Sequence, residues 1–314
     1  MNYISIAQLN MDIKNMLKNI PHDIDIVVGI PRSGLLVANF ISLYINKPIT
    51  DIDSFVDGRI MKSGKTKNQK GLNLKFNEIK KVLICEDSCN SGNSINEAKA
   101  KLRKFNDKIK FVYLATYVTS NSKKNVDLYA RIVEQPRVFE WNLMNSGFLH
   151  YACVDIDGVL CYDPTNEEND DGEKYINFIR NAKPKLIPTE KIKYLVTSRL
   201  EKYRKETEEW LSNNHIEYDE LIMLDLSSAE ERRKLNNHGE FKAEIFKSKK
   251  DACIFIESEL KQSEIISNLS GKTCICVNDN STFYITKKIS LLKRIVKKIV
   301  PIEIKNKLRN YYYK

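Results

Sequence analysis

Apolar positions fall in short runs divided by polar stretches, and their spacing changes from run to run. Ile4 to Leu17 repeats apolar residues at helical spacing, which predicts an amphipathic opening helix. The strand-sized run Asp25 to Gly29 leads through IPRSG into a helix over about Leu35 to Tyr44, the strand, glycine turn and helix of a parallel α/β unit. A second unit follows: the strand Lys81 to Cys85, the polar stretch EDSCNSGNS, a helix from about Ile95 to Phe105 and the strand Lys110 to Thr116. Between the two, residues 58–73 (GRIMKSGKTKNQKGLN) are polar and basic with no useful period, which reads as a long functional loop. Pro136, two aromatics and a glycine between Glu134 and Leu149 mark the end of a first domain.

A new alternation begins at Tyr151. YACVDIDGVLC is an apolar strand entering an acidic turn, and IKYLVTSR, a helix over Glu201 to Asn213, the strand Glu220 to Leu224, ACIFIE and KTCICV continue it. The expected organisation is two α/β domains, residues 1–150 and 151–284, followed by a tail at 285–314. A chain of 314 residues with 42% apolar and 29% charged residues supports two cores and excludes general disorder. No run approaches the roughly 18 apolar residues of a spanning helix, and the N-terminus shows no secretory signal, so a cytoplasmic protein is expected. The seven cysteines include no CxxC pair and sit mostly in strand-like runs, as reduced core residues would.

Charge changes the picture only at the end of the chain. From Lys287 onward there are ten Lys or Arg and one acid, Glu303, which leaves the rest of the +10 protein close to neutral. A nucleic-acid-binding body is therefore not expected. Residues 285–300 place Ile285, Ile289, Leu291, Leu292, Ile295, Val296, Ile299 and Val300 on one half of a helix and Lys287, Lys293, Arg294, Lys297 and Lys298 on the other, with only Lys288 out of place. That pattern predicts an amphipathic helix on an anionic membrane surface, at about 1 kcal/mol per engaged cation. The same apolar face could instead pack on the second domain.

The segment VLICEDSCNSGNS, residues 82–94, offers adjacent carboxylates for vicinal hydroxyls, then a small-residue loop opening a helix, suited to a phosphate. It resembles the phosphoribosyl diphosphate (PRPP) motif of type I phosphoribosyltransferases. The resemblance implies that Glu86 and Asp87 hold the ribose 2- and 3-hydroxyls while Ser88, Ser91, Gly92, Asn93 and Ser94 cradle the 5-phosphate. GIPRSG, residues 29–34, resembles the family's diphosphate turn, with Arg32, Ser33 and Gly34 meeting the leaving group with Mg2+. Arg59 and Lys65 lie where the family has its mobile active-site loop. Purine-using members carry an acid at the position of Asn90, so a purine acceptor is not expected. A hydroxyl acceptor needs a general base, for which Asp51, Asp53 and Asp57 are candidates.

In DIDGVLC, residues 155–161, two acids lie two apart after an apolar strand, with a glycine that permits a tight turn. This resembles motif one of the haloacid dehalogenase superfamily and implies Asp155 as nucleophile and Asp157 as general acid and base. By the same resemblance Thr197 binds the phosphoryl group, Lys242 pairs the nucleophile with the phosphate, and Glu257 completes a Mg2+ site with Asp155 and Asp157, helped by Glu259. Lys247, Lys249 and Lys250 compete with Lys242 for that role. Only 40 residues separate Asp157 from Thr197 and 45 separate Thr197 from Lys242, which leaves little room for a cap domain and implies an open site.

Together the two domains, each expected to be Rossmann-like with the second capless, resemble the two-domain ribofuranosyltransferases of bacterial cell-surface polysaccharides such as O-antigen and capsule. That resemblance implies transfer of 5-phosphoribose from PRPP to a glycan hydroxyl with inversion, then removal of the 5-phosphate to leave β-ribofuranose. A membrane-surface tail suits a lipid-linked glycan acceptor and a peripheral location on the inner face of the membrane. The competing readings are a soluble nucleobase phosphoribosyltransferase fused to a nucleotide or sugar phosphatase, and a PRPP sensor with inactive sites.

Overall fold

A computed structural model describes residues 1–61, 72–226, 228, 230, 231 and 237–284. The proposed membrane helix at 285–314 and the candidate Lys65 lie outside the described residues. The chain divides into two compact units, Met1–Trp141 and Asn142 onward. Among the described residues no helix is long and apolar enough to cross a membrane.

The first unit runs β1 (Asn2–Ile4), α1 (Ile6–Met16), β2 (Ile26–Gly29), α2 (Ser33–Ile45), β3 (Ile49–Asp51), α3 (Ile52–Val56), β4 (Lys81–Cys89), α4 (Asn93–Leu102), β5 (Lys110–Val118), β6 (Leu128–Ile132) and β7 (Arg137–Phe139). Its main sheet is parallel, in the order β3-β2-β4-β5-β6, and β1 pairs separately with β7. Strand β2 is apolar on both faces because helices cover both, the burial expected of a parallel sheet. One face packs Val27, Leu83 and Leu114 against α1 and α2, and the other packs Val28, Ile84 and Ala115 against α3 and α4. Strand β4 was expected to stop at Cys85. It continues to Cys89 because its pairing with β5 persists through Ser88 opposite Tyr117 and Cys89 opposite Val118, so Glu86 and Asp87 stand within the sheet.

The second unit runs β8 (Ala152–Val154), α5 (Glu173–Asn181), β9 (Ile192–Leu200), α6 (Arg204–Asn213), β10 (Tyr218–Leu224), α7 (His238–Ser248), β11 (Ile254–Glu257), α8 (Leu260–Ser270), β12 (Thr273–Cys276) and β13 (Ser281–Phe283). Its sheet order is β10-β9-β8-β11-β12-β13, parallel except for the last pair. Residues 142–150 fall in the second compact unit, where the Thr189 N–H donates to the Met144 carbonyl and its hydroxyl to Asn145 Oδ1. Helix α7 lies between β10 and β11, in a stretch for which the sequence predicts no element. Its one buried stripe, Gly239, Lys242, Ala243 and Phe246, includes a lysine, which hides the helical period. Six of the seven cysteines are buried, Cys253 is exposed, and all are free thiols.

Candidate active sites

In the first unit the IPRSG turn and the carboxylates of β4 meet because Gly34 has no side chain. A Cβ there would lie 2.5 Å from the Cys85 carbonyl oxygen and 3.3 Å from Glu86 Oε1. Ser33 is half-buried beside it, and the Arg32 guanidinium is exposed where α2 begins. Glu86 and Asp87 are both buried, and Glu86 Oε1 accepts the Asp87 N–H at 3.1 Å. Burial, and then the adjoining Asp87 carboxylate, hold the Glu86 carboxyl well above the usual carboxylate range.

Gly92 closes the following turn at φ +89°, a conformation side chains rarely adopt, and packs against Asn125. It delivers the chain to the start of α4 with Ser91, Asn93 and Ser94 exposed and Ser88 half-buried. The Asn93 N–H donates to Ser91 Oγ at 3.3 Å, and exposed hydroxyls beside the amides of a helix start can receive a phosphate. The candidate bases are already engaged: Asp51 caps Ser54 N at 2.8 Å, Asp53 pairs with Lys101 at 2.5 Å, and Asp57 pairs with Arg59 at 2.9 Å. Asp53 and Lys101 also line a cavity of about 190 Å3 with Pro31 and Ser94.

Two residues of this unit carry no motif in sequence. The Trp141 indole N–H donates to Asp87 Oδ2 at 2.8 Å, and the buried Arg137 guanidinium donates to the carbonyls of Cys89 and Val133, each at 3.0 Å. Both come from a segment 50 or so residues beyond β4, and only folding brings them to it.

In the second unit Asp155, Asp157, Thr197, Lys242 and Glu257 all line one cavity of about 520 Å3. Gly158, at φ +75°, makes the acidic turn possible, since a Cβ would sit 2.1 Å from Ser258 Oγ. Lys242 is only 2% exposed, and its ammonium donates to Asp155 Oδ2 and Glu257 Oε2, both at 2.7 Å, and to Gln262 Oε1 at 2.9 Å. Burial opposes charging Lys242, but the two carboxylates outweigh it and hold the ammonium protonated. Burial pushes the Asp155 carboxyl up against the pull of Lys242. Thr197 is fully buried within β9, its Oγ1 accepting the Arg199 N–H at 3.2 Å.

Asp157 has a partner the motif reading did not anticipate. Arg199, fully buried two residues beyond Thr197, donates from Nη2 to Oδ1 at 2.7 Å and from Nε to both oxygens at 3.1 and 3.2 Å. Burial opposes ionising Asp157, but the guanidinium outweighs it and holds the carboxyl below its usual range. Asp157 is turned to Arg199, and among the described residues no three His, Cys, Asp or Glu side chains are grouped to hold a metal. Glu259, expected as a helper, instead caps α8 through the N–H groups of Lys261 and Gln262. Asp155 and Glu257 remain as a pair of hard oxygen donors bridged by an ammonium. The cavity also carries Asp163 and Glu259, so its acids outnumber its bases, and a phosphate would enter more readily with a hard cation beside that pair.

Comparison with known proteins bears on the first part of the chain: residues 3–152, which span the first unit and the start of the second, match the phosphoribosyl transferase domain family. The chain therefore carries a phosphoribosyl transferase domain over a little under half its length. Similar solved structures include Helicobacter pylori xanthine-guanine-hypoxanthine phosphoribosyltransferase, at 17% identity over 45% of this chain and 92% of that one, with a TM-score of 0.34. A purine phosphoribosyltransferase from Pyrococcus horikoshii is similar at 17% identity over 45% and 92%, TM-score 0.33. Orotate phosphoribosyltransferase from Aeropyrum pernix is similar at 14% identity over 40% and 71%, TM-score 0.29. No curated protein matches the chain.

Proposed function

We propose that the protein is a bifunctional ribosyltransferase of cell-surface polysaccharide synthesis. Its first unit transfers 5-phosphoribose from PRPP to a glycan hydroxyl, and its second unit removes the 5-phosphate. The observation that carries this reading is that a phosphoribosyl transferase domain shares one chain with a cavity of about 520 Å3 lined by Asp155, Thr197, Lys242 and Glu257. In the first step the bond from C1 to the acceptor oxygen forms as the bond from C1 to diphosphate breaks, with inversion, and the acceptor hydroxyl gives its proton to a general base, for which Asp51, Asp53 and Asp57 are the candidates. Glu86 and Asp87 orient the ribose, while Ser88, Ser91, Gly92, Asn93 and Ser94 take the 5-phosphate and Arg32, Ser33 and Gly34 the diphosphate. Bound with the diphosphate at the turn of Arg32, Ser33 and Gly34, Mg2+ would offset the charge of the leaving group.

In the second step Asp155 attacks phosphorus, the bond from phosphorus to the sugar oxygen breaks, and that oxygen takes a proton from Asp157. Water then hydrolyses the aspartyl phosphate, with Thr197 and Lys242 holding the phosphoryl oxygens. Bound beside Asp155 and Glu257, Mg2+ would offset the charge of the incoming phosphate. Asp157 must yield its guanidinium contact to carry a proton, which the entering substrate's charge would promote.

A nucleobase acceptor is the second reading, and the match to the phosphoribosyl transferase domain family fits it at least as well. Asn90, exposed at the turn, is the feature favouring a hydroxyl acceptor. Mass spectrometry of a panel of glycans and nucleobases incubated with PRPP, Mg2+ and either wild type or Asp155→Ala decides between them. A pentose gained with wild type and a phosphopentose with the variant is expected on a glycan. Turnover confined to nucleobases would overturn the glycan acceptor.

A further inference from the structure

We propose that Trp141 is a positioning residue for PRPP, setting through its indole N–H the orientation of the ribose-binding carboxylate Asp87. The proposal rests on the PRPP reading of Glu86 and Asp87 above. Asp87 is buried beside the Glu86 carboxyl, and a buried carboxyl oxygen needs a hydrogen-bond donor to satisfy and fix it. The indole N–H, 2.8 Å from Asp87 Oδ2, is that donor, and it comes from 54 residues further along the chain.

The surroundings hold the indole so that it cannot swing away. Its ring stacks on Phe139, centroids 4.8 Å apart and planes 13° apart, and Phe139 stacks on Tyr117 at 5.5 Å and 23°. The Tyr117 hydroxyl donates to Asp12 Oδ2 at 2.9 Å, which ties the far end of the stack to α1. Arg137, over the Phe139 ring at 5.6 Å, bonds the carbonyl of Cys89 two residues beyond Asp87. The segment Arg137–Trp141 is thus fastened to the end of β4 at two points, one of them the carboxylate itself. Phenylalanine would stack in the same way, so substituting it separates the N–H from the packing.

Trp141→Phe keeps the stack and removes the donor. Calorimetric titration with Mg-PRPP should show binding weakened about tenfold or more, ~1.4 kcal/mol, as for a lost hydrogen bond to a carboxylate, with the fold retained and the melting temperature lowered only by the few degrees that one lost hydrogen bond costs. Binding within twofold of wild type would overturn the proposal and leave the PRPP reading standing, whereas wild type that fails to bind Mg-PRPP would overturn both. Wild type labelled with 15N-tryptophan gives a second measurement that does not depend on the variant folding. It has two indole N–H signals, and Trp210 donates to the Ala182 carbonyl in the core of the second unit. Saturation with Mg-PRPP should move the Trp141 signal and leave that of Trp210 in place. If both stay in place at saturation, the indole does not sense Asp87 and the proposal fails.

Discussion

Replacing Arg199 with methionine should convert Asp157 from a paired to an unpaired buried carboxylate, and the cost can be worked from the pair's geometry. Arg199 is fully buried and makes three close contacts to Asp157, whose side chain is 19% exposed. Breaking a buried pair from one side costs roughly 3–5 kcal/mol, and the partial exposure of Asp157 places the expected loss near the lower end, about 3 kcal/mol at pH 7. In wild type the depressed pKa of Asp157 contributes stability that is present above its unfolded value of about 3.9 and is lost as pH falls through the folded value. In Arg199→Met the folded pKa rises instead, so the penalty grows as pH climbs from about 4 and is full by neutrality. Urea unfolding followed by Trp210 fluorescence in a Trp141→Phe background reports the second unit alone. The loss should shrink between pH 7 and pH 4.5, and Asp157→Asn combined with Arg199→Met should be less destabilised than the two single costs added, by about 2 kcal/mol. Additive costs, or a penalty independent of pH, would refute the assignment of Asp157 to Arg199.

The first unit gives two further tests. Gly34→Ala places a methyl 2.5 Å from the Cys85 carbonyl and against Glu86, which forces the backbone apart; diphosphate release from PRPP should fall at least about tenfold, with a stability loss of about 1–3 kcal/mol, and unchanged turnover would contradict the close approach. Glu86→Gln removes a carboxyl whose folded pKa is raised, so wild type should lose stability as pH rises above about 4.3 while the variant does not. Thermal melts from pH 4 to 8 should therefore show the variant gaining on wild type by about 1 kcal/mol or more at the alkaline end, and parallel curves would sink the argument.

Much of the α/β framework was legible in the sequence because buried parallel strands write themselves as short apolar runs. Ile26–Gly29, Lys81–Cys89 and Ile192–Leu200 all grow from such runs, and the acidic and glycine turns after them follow from local backbone needs. Element ends were less legible. Pairing with a neighbour extends β4 through two carboxylates, and no local propensity predicts that. Helix α7 was missed for a related reason, since a lysine stands on its buried stripe where the pattern requires an apolar residue.

What the sequence by itself determined is the residue types at each strand end: paired acids, small residues and glycines, which depend on neighbours in the chain. Only the tertiary structure decided which charges meet. Lys242, Lys249 and Lys272 look alike in sequence, yet Lys242 bridges Asp155 and Glu257, Lys249 pairs with Glu220 at the surface, and Lys272 binds the carbonyls of Phe246, Lys249 and Ala252. Arg199 and Trp141 carry no motif because their roles lie wholly in partners 42 and 54 residues away. A buried charge must find a counter-charge or a donor wherever the fold supplies one, and that pairing is set by distance in space, which local pattern does not encode.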